Sequence, residues 1–217
     1  MDPKLTKWLK WFAVVHDEIQ HLLIAKDIFW SVQDLIKANP RIQKSSAFYT
    51  YLGDTYISHV LIGIRRQIKV DPNAVSFVRL LTDIAESPQC FTREYFTGLY
   101  SGSIVEDRAD KEFDEFCEAG GGNHMSPVMV QRDIDAIRAT AAKCEEFADR
   151  RIAHRDLRDP RTPPTFKEVD DVVVALDRIY VRYHLIFHAG VMSSLMPTYQ
   201  YDWQEIFDER WRLPIEE

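Results

Sequence analysis

The chain has 217 residues, 46% of them hydrophobic and 28% charged, and a formal net charge of -7. That length suits one domain with a substantial buried core, and the acidic balance excludes capture of nucleic acid by the molecule as a whole, so any polyanion site must be a local patch. Three cysteines, Cys90, Cys117 and Cys144, with no CxxC, argue for a reducing compartment and against a disulfide frame or a thiolate zinc site.

The N-terminal stretch is amphipathic and broken by Lys7, Lys10, His16, Asp17 and Glu18, unlike the apolar core of a signal peptide. No apolar run is long enough to span a bilayer. The expectation is a cytoplasmic protein with no membrane partner, and residues 1–217 read as a single domain.

Prolines 3, 40, 72, 88, 127, 160, 163, 164, 197 and 214 punctuate stretches of helical periodicity. Proline is tolerated at helix starts and excluded from interiors, so these positions draw the boundaries. Helices are expected at about 4–38, 45–69, 73–86, 92–100, 107–118, 127–155, 166–194 and 202–208. No segment shows the alternation of a strand. The fold class is therefore all-α, an antiparallel helical bundle with additional short helices.

The first helix carries the stripe Trp8, Trp11, Phe12 and Val15, ordinary amphipathicity that would serve as a partner surface if exposed. The second has Ile57, Leu61, Ile64 and Ile68 on one side and Phe48, Thr55, His59 and Ile62 on the other, the pattern of a central helix. Gly120–Gly122 marks a flexible join. The helix at 127–155 has a narrow seam, Val130, Ile134, Ile137, Ala141, Cys144 and Ala148. The helix at 166–194 follows Thr165, a suitable N-cap, with the seam Phe166, Val169, Val173, Leu176, Tyr180, Tyr183 and Phe187. Spacings of three and four favour shallow crossing angles, so these two helices should form a hairpin across Asp156–Pro164. The aromatic tail from Tyr199 to Trp211 should fold back on the bundle.

Chemistry concentrates where the seam of the 127–155 helix ends. At 100° per residue the position after Ala148 is Arg151, and His154 follows one turn later, close to Arg150 and Arg151. Arg155, Arg158 and Arg161 add to a small positive island within an acidic chain. Histidine titrates near neutrality and can move a proton; arginine offers a fixed charge and a fork of donors suited to phosphate oxygens. Together they suit metal-free cleavage of a phosphodiester by its own ribose 2′-hydroxyl. The residues alone favour a structural end: Glu146, Asp149 and Arg150 can pair with one another, a basic last turn suits the helix dipole, and His154 can satisfy a buried contact.

The run Asp149-Arg-Arg-Ile-Ala-His154-Arg-Asp156 on a late helix of an all-α bundle resembles the HEPN superfamily, and within it the abortive-infection branch of the U type. The likeness continues in Tyr56 through Ile64-Arg65-Arg66-Gln67 with Asp71, in Ser76 through Leu80-Leu81, and in Gln200-Tyr201-Asp202-Trp203 with Ile206-Phe207, so it spans about residues 10–210. The resemblance implies a homodimeric bundle that cuts RNA without metal or other cofactor at a cleft between protomers. It implies a toxin of phage defence, with an antitoxin or other partner protein as a further binding partner. Carried over, His154 is the catalytic histidine and Arg150 or Arg151 the arginine, with Asp149 a polar neighbour. Arg155, Arg158, Arg65 and Arg66 are the nucleic-acid-binding candidates. Arginine and histidine stand closer here than in the usual motif of that superfamily, which favours the alternative of a non-catalytic module that binds nucleic acid or a protein.

Other constellations carry less. His184 and His188 have the spacing of two metal ligands but lack a nearby acid on that face, so packing is the expectation. His16 to His21 has the wrong spacing for HExxH.

Overall fold

The computed structural model describes residues 2–117, 122–153, 162–209 and 211. Helix α1 spans Pro3–Ala38. Asp2 caps it by accepting from the Lys4 backbone N–H at 2.6 Å, and Pro3 fills a first-turn position where no N–H is needed. Leu5, Trp8, Phe12, Val15, Ile19 and Leu22 are all buried and alternate at three and four residues, which makes one continuous core seam. The tryptophan stripe is thus core; Trp11 alone is half-buried, with the Lys7 and Arg79 cations over its ring at 4.6 and 4.5 Å.

Helix α2, Ala47–Ile68, starts where the Ser46 hydroxyl accepts from the Phe48 N–H. It buries Tyr56, Val60, Leu61, Ile64, Gln67 and Ile68, but Phe48 is 52% exposed and Thr55 and His59 are also exposed. The two-sided pattern therefore does not mean a fully enclosed helix. One face packs, and the other is open.

Helix α3 (Phe77–Glu86) is capped by Ser76 and lies against α1, α2 and the later helix α6, Pro127–Phe147. Between them stand short α4 (Arg93–Gly98) and α5 (Ala109–Asp114), each less than its expected span. Arg93 organises this region, with hydrogen bonds to the Asp110 carbonyl, the Asp114 carboxylate and the Gly122 carbonyl. No strand occurs among the described residues; a lone antiparallel bridge joins Thr92 to His124.

Helix α7, Phe166–His188, opens with a full capping box in which the Thr165 hydroxyl accepts from the Glu168 N–H and the Glu168 carboxylate accepts from the Thr165 N–H at 2.7 Å. It stops at His188, short of the expected 194, because Ala189 turns left-handed at φ 50°. His184 Nδ1 then donates to the Gly190 carbonyl at 3.0 Å. The chain doubles back, and the Asp177 carboxylate accepts from Ser194 Oγ at 2.7 Å and the Leu195 N–H at 2.8 Å. Farther on, Tyr199 Oη donates to Asp27 of α1 at 3.2 Å, so the aromatic tail does return to the bundle, ending in a short 3₁₀ turn at Glu205–Phe207.

Pairings across helices give the topology. Leu22 lies against Gly63 and Phe29 stacks on Tyr56, so α1 and α2 are antiparallel. Phe12 meets Phe187 while Trp30 meets Asp170, which makes α1 antiparallel to α7. Asp133 meets Arg182 and Lys143 meets Glu168, so α6 and α7 form the expected antiparallel pair. Four long helices, α1, α2, α6 and α7, make the bundle, and α3 nests on it.

Two aromatic clusters brace its length. In one, Phe12 is stacked on Tyr180 at 4.0 Å and on Phe187 at 4.3 Å. In the other, Phe29, Tyr56 and Phe166 stack in near-parallel planes, and Asp170 accepts from Tyr56 Oη at 2.5 Å and Trp30 Nε1 at 2.7 Å. Each buried ring of this kind contributes about 1.5–3 kcal/mol of transfer free energy. No helix of the described residues is long and apolar enough to cross a membrane.

Candidate functional site

The seam of α6 reads as expected through Val130, Ile134, Ile137, Ala141, Cys144 and Ala148, all buried. Beyond Phe147 the backbone widens. Ala148–Ala153 is a π-helical turn, with hydrogen bonds from i to i+5 rather than i+4. The seam no longer advances at 100° per residue; Ile152 packs partly buried against the cluster, and Arg151 beside it is partly buried as well. His154, Arg155 and Arg158 lie outside the described residues, as does Arg161.

What anchors the turn comes from α2. Arg65 Nε donates to Asp149 Oδ1 at 2.5 Å, and Lys69 Nζ, one helical turn on, donates to Asp149 Oδ2 at 2.9 Å and pairs with Glu145 Oε1 at 2.6 Å. The facing carboxylates Glu145 and Asp149 are also one turn apart, so two short ladders of opposite charge mesh across the antiparallel α2 and α6. Partial burial acts to raise the Asp149 carboxyl, but hydrogen bonds from Arg65 and Lys69 outweigh it and hold the group below its ordinary value. The Lys69 ammonium is raised, most by Glu145 and next by Asp149.

The remaining predicted arginines divide. Arg150 pairs with Glu146 one turn back at 2.9 Å, the arrangement that a purely structural helix end would show. Arg66 is 54% exposed and reaches Glu18 of α1 at 3.0 Å. Around them the open face of α2 forms a surface groove in which Tyr51, Thr55, His59, Ile62 and Arg66 line the wall together with Ile152 of the π turn. The structure thus brings Arg65, Asp149 and Arg150 to one place with an open groove beside it. Sequence reasoning missed Lys69, Glu145 and Glu18. The signal for the first two was present: cations at 65 and 69 and carboxylates at 145 and 149 share the spacing of four that puts side chains on one helix face.

The other candidates take structural places. His184 and His188 have ring centroids 5.0 Å apart and pack beside Phe12. Partial burial and the neighbouring His184 ring lower the His188 pKa. Among the described residues no group of three or more His, Cys, Asp or Glu side chains is placed to hold a metal ion.

A family model for the HEPN domain AbiU2 matches residues 5–209. No curated protein and no solved structure matches the chain. With this match over most of its length and its helical bundle, the chain belongs to the AbiU2 family of HEPN domains, a family of the abortive-infection type.

Proposed function

We propose that this protein is a metal-independent endoribonuclease that acts as a toxin in phage defence, working as a homodimer with its cleft at the end of α6. The observation that supports this reading is the π-helical turn. Wide turns of this kind are rare and recur at functional sites, and this one carries Arg150 and Arg151, while Ile152 of the same turn lines the open groove of α2.

In the proposed reaction His154 takes the proton of a ribose 2′-hydroxyl. The 2′-oxygen bonds to phosphorus, the P–O5′ bond breaks, and a proton delivered by the partner protomer's copy of the histidine leaves with the 5′-oxygen. Arg150 and Arg151 stabilise the charge that builds on the phosphoryl oxygens. Asp149 is their polar neighbour, and Arg155, Arg158 and Arg66 guide the strand. The residue types need no metal for this course. The site would act in the cytoplasm, on RNA, and under the control of an antitoxin or similar partner protein.

One observation favours a second reading. Arg65 and Arg150 already face carboxylates of their own chain, as in a non-catalytic module that binds RNA or a protein partner. Expression of the wild type and of His154→Ala, with growth of the host and intact RNA as readouts, decides between them. The proposal expects growth arrest and RNA breakage with the wild type only. Equal arrest by both proteins overturns it.

A further inference from the structure

We infer that Arg65 and Lys69 are positioning residues that act through Asp149 on the π-helical turn, and do not contact RNA phosphate. The inference rests on the site proposed above and replaces the nucleic-acid-binding part that the family resemblance implies for Arg65.

Three features carry it. First, the contacts are direct and doubled: both Asp149 oxygens are taken, one by Arg65 Nε at 2.5 Å and one by Lys69 Nζ at 2.9 Å, while Lys69 also holds Glu145 at 2.6 Å. A phosphate reaching Arg65 from this side would have to displace a carboxylate already in charge-assisted contact. Second, the clamp grips the place where the backbone changes. Glu145 lies in the last α-helical turn of α6 and Asp149 is the second residue of the π turn. Holding both fixes the rotation between them, and with it the directions of Arg150, Arg151 and Ile152. Third, α2 is a rigid support. Ile64 and Ile68, each just before one of the two cations, are buried in the core, so Arg65 is presented from the last turn of α2 and Lys69 from its C-cap. The lowered Asp149 pKa agrees with a carboxylate that stays ionised in the clamp.

A phosphate contact and a positioning contact differ in what they change. The full chain is prepared as wild type, Arg65→Gln, Asp149→Asn and the double variant, and as the charge exchange Arg65→Asp with Asp149→Arg. Amide hydrogen exchange is read over residues 148–153. Cleavage kinetics are measured on an oligoribonucleotide that the wild type cuts, and the salt dependence of RNA binding is measured in a His154→Ala background. The inference expects each single variant to speed exchange in the turn and to lower kcat by on the order of tenfold to a hundredfold with little change in KM. The double variant should be no worse than the poorer single, because both break the Arg65–Asp149 contact and Asp149→Asn already weakens the Lys69 contact as well. The charge exchange should restore part of the protection, and the salt slope should not move. The inference is overturned if Arg65→Gln lowers the salt slope by about one, as loss of a phosphate contact does, while Asp149→Asn leaves binding unchanged or tightens it. If the wild type cuts no RNA, the exchange data still decide. Matched, non-additive loss of protection upholds the clamp while the ribonuclease reading falls, and independent, additive losses overturn the clamp itself.

Discussion

Replacing Asp133 by alanine tests how the bundle manages a buried carboxylate. Asp133 on α6 is 6% exposed and accepts twice from Arg182 Nη1, at 2.7 and 2.9 Å, and once from Tyr183 Oη at 3.1 Å. Breaking a buried ion pair from one side costs about 3–5 kcal/mol when the partner charge is stranded. Arg182 is 37% exposed and can turn toward water, so its share is discounted. The Tyr183 hydroxyl cannot follow, since the residue is fully buried; an orphaned buried donor costs about 1–3 kcal/mol. The sum falls near the lower end, about 3 kcal/mol, and at about 2–4 °C per kcal/mol for a chain of this size the melting midpoint drops by roughly 6–12 °C. Adding Tyr183→Phe to Asp133→Ala removes the orphan and should recover about 1 kcal/mol, although Tyr183→Phe alone destabilises. Urea titrations of the four proteins give the cycle. The reasoning is refuted if Asp133→Ala costs less than about 1 kcal/mol, or if the second substitution deepens the loss.

Glu168 sets a pH dependence at the start of α7. The Lys143 ammonium and then the Thr165 backbone N–H hold its carboxyl down to about 2 from the usual 4.5. A depressed carboxylate contributes stability that is full above 4.5 and is lost as pH falls through about 2. The stability gap between wild type and Glu168→Gln should therefore be constant from neutral pH to about 5 and close between 4.5 and 2; a gap that widens over that window contradicts the assignment. Gly63 marks the close approach of α2 to α1, where an added Cβ would overlap the buried Leu22 methyl and press on its Cγ at 3.3 Å. Alanine gains about 1 kcal/mol of helix propensity, but overpacking costs about 1–3 kcal/mol. Net destabilisation of about 1 kcal/mol in urea unfolding is expected, and a stabilised variant would show that Leu22 moves freely.

Much of the fold was legible because its signals are local. The seams of α6 and α7 are periodic, and nearly every residue on them is buried. The face of α2 with Phe48, Thr55 and His59 misled, since apolar residues also occur on surfaces and no helix among the described residues covers that side. The early end of α7 had a signal in Gly190, a helix stop just past the left-handed Ala189. The π turn had none: Ala148–Ala153 contains neither glycine nor proline, and its anchors lie on another helix about 80 residues earlier in the chain. The Asp149–His154 run proposed as the site stands out in the sequence, whereas the clamp on Asp149 required knowing that α2 lies antiparallel to α6.

The central claim is that His154 cuts RNA without metal. Purified wild-type protein and His154→Ala are incubated with transfer RNA, ribosomal RNA and unstructured oligoribonucleotides in excess chelator, and the fragment ends are determined. The account predicts 2′,3′-cyclic phosphate and 5′-hydroxyl ends with the wild type and intact RNA with His154→Ala. Intact RNA with both proteins, or the same fragments from both, contradicts it.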